Sequence, residues 1–157
     1  MNTDMTLEIL STGSEHTEKI GEAIGRQLHG GEVIELKSDV GGGKTTFMRG
    51  LVRGAGSKDP VASPTFTISK EYIAPGFTIH HLDLYRLGDD PGIIRQELTE
   101  FLDNGNDVVA IEWANSLADV LPKNRLTIEL SHRPNDQRSV VVFIPQELEY
   151  LVKELEP

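Results

Sequence analysis

SDVGGGKTT, residues 38–46, lies between the apolar run Val33-Ile34-Glu35-Leu36 and a segment, Phe47 to Val52, with the spacing of a helix start. Strand, glycine loop and helix in that order are the setting of a phosphate-binding loop. Glycines at 41, 42 and 43 lack a β-carbon, so the backbone is free to curl and aim its N–H groups inward. The helix that begins near Lys44 adds the positive end of its dipole. In this reading Lys44 reaches the β- and γ-phosphates and the Thr45 hydroxyl ligates Mg2+, with Thr46 next along the helix. One position departs from the pattern G-x-x-x-x-G-K-[ST]: Ser38 stands where the first glycine is expected. Serine does not enter positive φ without cost, so either this position is unstrained or the loop opens differently.

Working outward, the run Val108-Val109-Ala110-Ile111 has the uniform apolarity of a buried parallel strand, and it ends in Glu112, followed by Trp113. A carboxylate at the tip of such a strand is the hard oxygen ligand that a Mg2+ beside a phosphate loop requires. Thr67 to Ile73 and Phe77 to Leu82 read as a hairpin around Ala74-Pro75-Gly76, the second arm ending in Asp83. That acid suits metal or water handling, or a cap or ion pair with Arg86. With Asp39 in the loop, three carboxylates are expected around a nucleotide. The assignment is Glu112 on Mg2+ and Asp83 near the γ-phosphate, and the reverse is also open. Ser63, Thr65 and Thr67 alternate along an extended segment around Pro64, either as a switch-like strip facing the γ-phosphate or as an ordinary edge strand.

The flanks complete an α/β pattern. Met5 to Leu10 alternates as a strand. A helix follows, with Ser14 as its N-cap, Ile20, Ala23, Ile24 and Leu28 on its apolar side, and an end at His29-Gly30-Gly31. Ile93 to Leu102 is a second amphipathic helix, and Asn115 to Lys123 a loop or short helix. Arg125 to Leu130 and Arg138 to Ile144 are strands bracketing a polar turn, and Pro145 starts a short C-terminal helix. The expected architecture is a three-layer P-loop NTPase fold in a single domain over residues 1–157. Its sheet is mostly parallel, with added antiparallel strands.

Composition narrows the functions. The 157 residues carry a net charge of −10, which repels nucleic acid phosphate. There is no cysteine, hence no disulfide, thiolate nucleophile or cysteine-bound zinc. The five histidines lack metal-ligand spacing and read as surface or satisfied polar residues. No apolar run approaches ~18 residues, and the N-terminus lacks a signal-peptide pattern, so the expected compartment is the cytoplasm. Guanine recognition normally uses an [NT]KxD loop, and neither NGND at 104–107 nor KNRL at 123–126 supplies one, so ATP is expected over GTP.

Taken together, SDVGGGKTTFMRGL, VASPTFTISKEY, HHLDLYRL and VAIEWAN followed by LP resemble the TsaE (YjeE) family, in order and in spacing. The resemblance covers almost the whole chain, including SEHTEKIGEAIG as the first helix. It implies a weak Mg2+-dependent ATPase that works with the TsaD and TsaB proteins, which transfer a threonylcarbamoyl group to the tRNA adenosine beside the anticodon. By motif match, Asp39, Val40, Gly41, Gly42, Gly43, Lys44, Thr45 and Thr46 form the phosphate loop. Thr65 belongs to the switch-like segment, and Trp113 sits beside the nucleotide. Thr45 and Glu112 are then the metal ligands, and Asp83 with Lys44 the catalytic pair. The segment after Arg86 matches the family only loosely. A small-molecule kinase and a binding-only nucleotide switch are the alternatives. The scattered arginines, with no lid-like cluster, count against the kinase.

Overall fold

The two apolar runs, at 33–36 and 108–111, form neighbouring parallel strands at the centre of the sheet, with Val33 beside Val109 and Leu36 beside Glu112. The computed structural model describes residues 4–38, 43–61, 69–84 and 92–156. In chain order these form β1 (Met5–Ser11), α1 (Ser14–Gly25), β2 (Val33–Ser38), α2 (Lys44–Gly54), β3 (Ser69–Ile73) and β4 (Thr78–Asp83). Then come α3 (Gly92–Asn104), β5 (Val108–Glu112), a 3-10 turn (Ala114–Leu117), β6 (Leu126–His132), β7 (Arg138–Ile144) and a 3-10 helix (Gln146–Val152). The strands make one seven-stranded sheet in the order β1-β7-β6-β2-β5-β4-β3. Its core, β6-β2-β5-β4, is parallel. The outer pairings β1–β7, β7–β6 and β4–β3 are antiparallel. This is the α/β sheet with added antiparallel strands that the sequence implies.

Alternation along the central strands divides the interior in two. Ile34, Leu36, Val108 and Ala110 point to the layer holding α1 and α2. Val33, Val109 and Ile111 point to the layer holding α3 and the 3-10 turn. Period-2 side-chain geometry with apolar residues on both faces produces these layers directly. Helices α1 and α2 pack unusually close. Gly21 and Gly25 on α1 abut the carbonyls of Phe47 and Leu51, and Gly50 and Gly54 on α2 abut those of Glu18 and Glu22. A β-carbon at any of the four would overlap facing backbone, so two G-x-x-x-G spacings set the contact distance.

Several boundaries differ from expectation. The N-cap of α1 is Gly13, whose carbonyl accepts the Thr17 amide at 3.0 Å, and no side chain caps the helix. Ser14 is instead the first helical residue. The helix ends at Gly25, a turn before His29. There the buried Glu32 carboxylate takes the His29 and Gly30 amides, each at 2.8 Å, and draws the chain into β2. The short C-terminal helix expected after Pro145 is present as a 3-10 helix, and Leu148, Leu151 and Val152 are its buried side. The turn between β6 and β7 carries positive φ at Asn135 and Asp136, residue types that tolerate it.

Candidate nucleotide-binding site

The carboxyl ends of β2, β5 and β4 meet the amino end of α2 at one edge of the sheet, the usual ligand position of a parallel α/β fold. Ser38 is the last residue of β2, paired with Leu130 and without positive φ. The strand simply continues through this position, so serine costs nothing where the motif has glycine. Positive φ is needed later, at Gly43, the N-cap of α2 (φ 102°), and there glycine is present. The Gly43 carbonyl accepts the Phe47 amide at 2.9 Å and starts the helix. Lys44, Thr45 and Thr46 are therefore its first turn, half-buried, at the positive end of the dipole. Asp39, Val40, Gly41, Gly42 and Thr65, with Ser63 and Thr67 beside Thr65, lie outside the described residues, as does Arg86.

Lys44 is held from two sides. Its Nζ is 3.5 Å from Glu112 Oε1 and 4.9 Å from the centre of the Trp113 ring. Glu112 is 3% exposed, and its other oxygen, Oε2, accepts a hydrogen bond at 2.7 Å from His81 Nε2. Asp83 sits directly beside Glu112 in the β4–β5 register, and the Leu84 amide donates to the Glu112 carbonyl at 3.1 Å. Parallel partners share a face, so the side chains of His81, Asp83 and Glu112 belong to the α2 layer. Trp113 leaves β5 in the left-handed region (φ 60°, ψ 46°), a conformation that costs a bulky residue about 1–3 kcal/mol. This turn carries the indole across to Lys44. A cleft of about 310 Å3 opens next to Trp113, lined by Leu36 to Ser38 of β2 and Glu129 to Ser131 of β6.

The structure thus brings Gly43, Lys44, Asp83, Glu112 and Trp113 to one edge of the sheet, with Thr45 one residue along the helix. A buried carboxylate and a helix-terminal hydroxyl are hard oxygen donors. They suit Mg2+, which takes its remaining ligands from phosphate and water. No three His, Asp or Glu side chains among the described residues are grouped to hold a metal by themselves.

Sequence reading missed two residues here, His81 and Arg138. His80 and His81 are both buried, and their side chains alternate. His80 stacks on Phe101 of α3 (3.9 Å between centroids) and meets Asp107 at 2.9 Å, whereas His81 turns to Glu112. Both are hydrogen-bonded polar residues, as expected, but the absence of metal-ligand spacing did not reveal that His81 meets Glu112. The available signal was that His81 precedes Asp83 by two residues on a strand, hence on the same face. The other is Arg138, whose Nε lies 3.7 Å from where a β-carbon on Gly43 would be. It opens β7 opposite Ser11, and only the sheet order brings it to the loop.

A sequence model of the family described as "Threonylcarbamoyl adenosine biosynthesis protein TsaE" matches residues 11–140, a span that takes in every group just described. The chain is 34% identical over 142 residues to the tRNA threonylcarbamoyladenosine biosynthesis protein TsaE of Bacillus subtilis (strain 168), covering 90% of this chain and 88% of that protein. The corresponding Nostoc protein is 36% identical over 121 residues, 74% of each chain. The crystal structure of Bacillus subtilis YdiB superposes with a TM-score of 0.78 at 29% identity, covering 98% of this chain and 96% of that one. With the motifs, the strand order and these relatives in agreement, the chain belongs to the TsaE family.

Proposed function

We propose that this protein binds ATP with Mg2+ at the Lys44–Glu112 edge and hydrolyses it slowly by itself. In this reading hydrolysis supports threonylcarbamoyladenosine modification of tRNA through a complex of TsaD and TsaB. The observation that carries the reading is Lys44. It is the first residue of a helix entered through a left-handed glycine, and its ammonium lies between a buried carboxylate and an indole. A cation at a helix N-terminus is an arrangement by which polyphosphate is commonly recognised, which supports the reading.

The residues divide the work by their chemistry. Lys44 and the loop amides hold the β- and γ-phosphates. Thr45 and Glu112 would hold Mg2+, which draws charge from the phosphate oxygens when bound. Asp83, strand neighbour of Glu112, orients the attacking water. Arg138 lies close enough to the loop to meet a phosphate or the ribose. The net charge of −10 favours protein partners over direct tRNA contact. No helix among the described residues is long and apolar enough to cross a membrane.

Nucleotide titration followed by the fluorescence of Trp113, the chain's only tryptophan, tests the binding step. A saturable change with ATP and Mg2+, weaker with GTP and lost in Lys44→Ala, is expected. An undiminished ATP response in Lys44→Ala would remove the basis of the reading.

A further inference from the structure

Glu112 has two carboxylate oxygens with different surroundings, and His81 is the reason. Oε1 faces Lys44 at 3.5 Å, whereas Oε2 accepts from His81 Nε2 at 2.7 Å. The side chains of Glu112 and His81 are 4% and 2% exposed, so neither contact is shared with bulk solvent. A carboxylate only accepts, so Nε2 carries the proton and Nδ1 is the ring's remaining polar atom. Nδ1 is buried and has no hydrogen-bond partner among the described residues. Among the described residues the imidazole therefore makes one directed hydrogen bond, and that bond is to Glu112. Tyr72, fully buried on the neighbouring β3, lies beside it at 6.3 Å between ring centres.

Resting on the nucleotide and metal reading above, we propose that His81 is a positioning residue for the metal. It pins Oε2 of Glu112 so that Oε1 is the oxygen offered at the edge where Lys44 and Thr45 lie. A glutamate has three rotatable side-chain bonds, and without the pin the carboxylate turns in its pocket and offers either oxygen. Partners that orient a ligating carboxylate typically govern metal affinity by 10–100-fold while leaving other ligands in place. His81 touches neither phosphate nor water in this scheme and acts only through Glu112.

The test compares His81→Gln with His81→Met in the full chain. The two replacements have equal length, but only glutamine keeps an N–H donor. Mn2+ binding to the ADP-saturated protein is read by electron paramagnetic resonance of the free ion, and ADP affinity is measured separately in chelator. The Met variant is expected to bind Mn2+ at least about tenfold more weakly, the Gln variant within about threefold of wild type, and ADP affinity in chelator to change by less than about twofold in both. Wild-type Mn2+ affinity in the Met variant overturns the positioning role while leaving the site reading intact. Absence of Mn2+ binding by the ADP-saturated wild type overturns both. If the Met variant does not fold, the wild type decides the matter. The 15N resonance of His81 Nε2 is expected to shift when Mg2+ is added to the ADP-bound protein, and an unmoved resonance overturns the proposal.

Discussion

Replacing Gly50 by alanine sets two opposed effects against each other. Alanine is the better helix former, and in the interior of α2 it is favoured by about 1 kcal/mol over glycine. Against this, an ideal β-carbon on Gly50 overlaps the carbonyl oxygen of Glu18 and comes within 3.0 Å of the Glu22 amide nitrogen. Both are backbone atoms of α1, so no side-chain rotation relieves the clash. The helices must part, along a contact that Gly21, Gly25 and Gly54 also hold tight. Overpacking of this kind costs about 1–3 kcal/mol, and a rigid backbone obstacle puts it at or beyond the upper end. The net expectation is destabilisation by about 2 kcal/mol, equivalent to a fall in Tm of about 4–8 °C for a chain of this size. Thermal unfolding followed by circular dichroism measures it, with Gly76→Ala as the control because nothing lies within 4 Å of its β-carbon position. A Gly50→Ala variant as stable as the parent would refute the claim that backbone contact, rather than helix propensity, fixes the α1–α2 spacing.

Other expectations follow from single contacts. Glu112→Gln keeps the shape but removes the charge between Lys44 and His81. Nucleotide binding in chelator should persist, while the tightening produced by Mg2+ is lost, as calorimetric titration with and without the metal will show. Burial pushes the Asp107 carboxyl up, but hydrogen bonds from His80 and the Thr78 amide outweigh it and hold it below its ordinary value of 3.8. A carboxyl lowered in the folded state lends stability above its unfolded pKa and withdraws it as the pH falls through the folded value. Urea midpoints of Asp107→Asn should therefore vary less with pH below 3.8 than those of wild type. The Tyr150 hydroxyl donates to the buried Glu32 at 2.6 Å, and burial together with that carboxylate raises its pKa. Tyr150→Phe leaves Glu32 its two amide donors, so a loss of about 1.5 kcal/mol in urea denaturation is expected.

Much of this was legible in the sequence because it depends on local pattern. The uniform apolarity of 108–111 announces a strand buried on both faces, and the glycine loop between strand and helix announces the sheet edge where the ends of β2, β5 and β4 meet α2. Glu112 and Asp83 could be placed side by side at that edge because each ends a strand. What escaped depends on tertiary neighbours. Ser38 looked like a defect, yet the strand runs through it and the positive φ falls at Gly43. Ser14 has the chemistry of an N-cap, but α1 opens one residue earlier. His81 was set aside for lacking metal-ligand spacing, since its partner lies 31 residues away on the next strand. The glycines of α1 and α2 scan as weak points in two helices until the helices are seen back to back. Arg138 reaches the loop only because β7 follows β6 in the sheet, an order that no local pattern encodes.

The measurement that bears most directly on the account is ATP hydrolysis by the purified protein, alone and with TsaD and TsaB, beside Lys44→Ala. The account predicts slow release of phosphate alone, a clear increase with the two proteins, and none from the variant under either condition. Hydrolysis that persists in Lys44→Ala, or a wild-type rate that the partners leave unchanged, would contradict it.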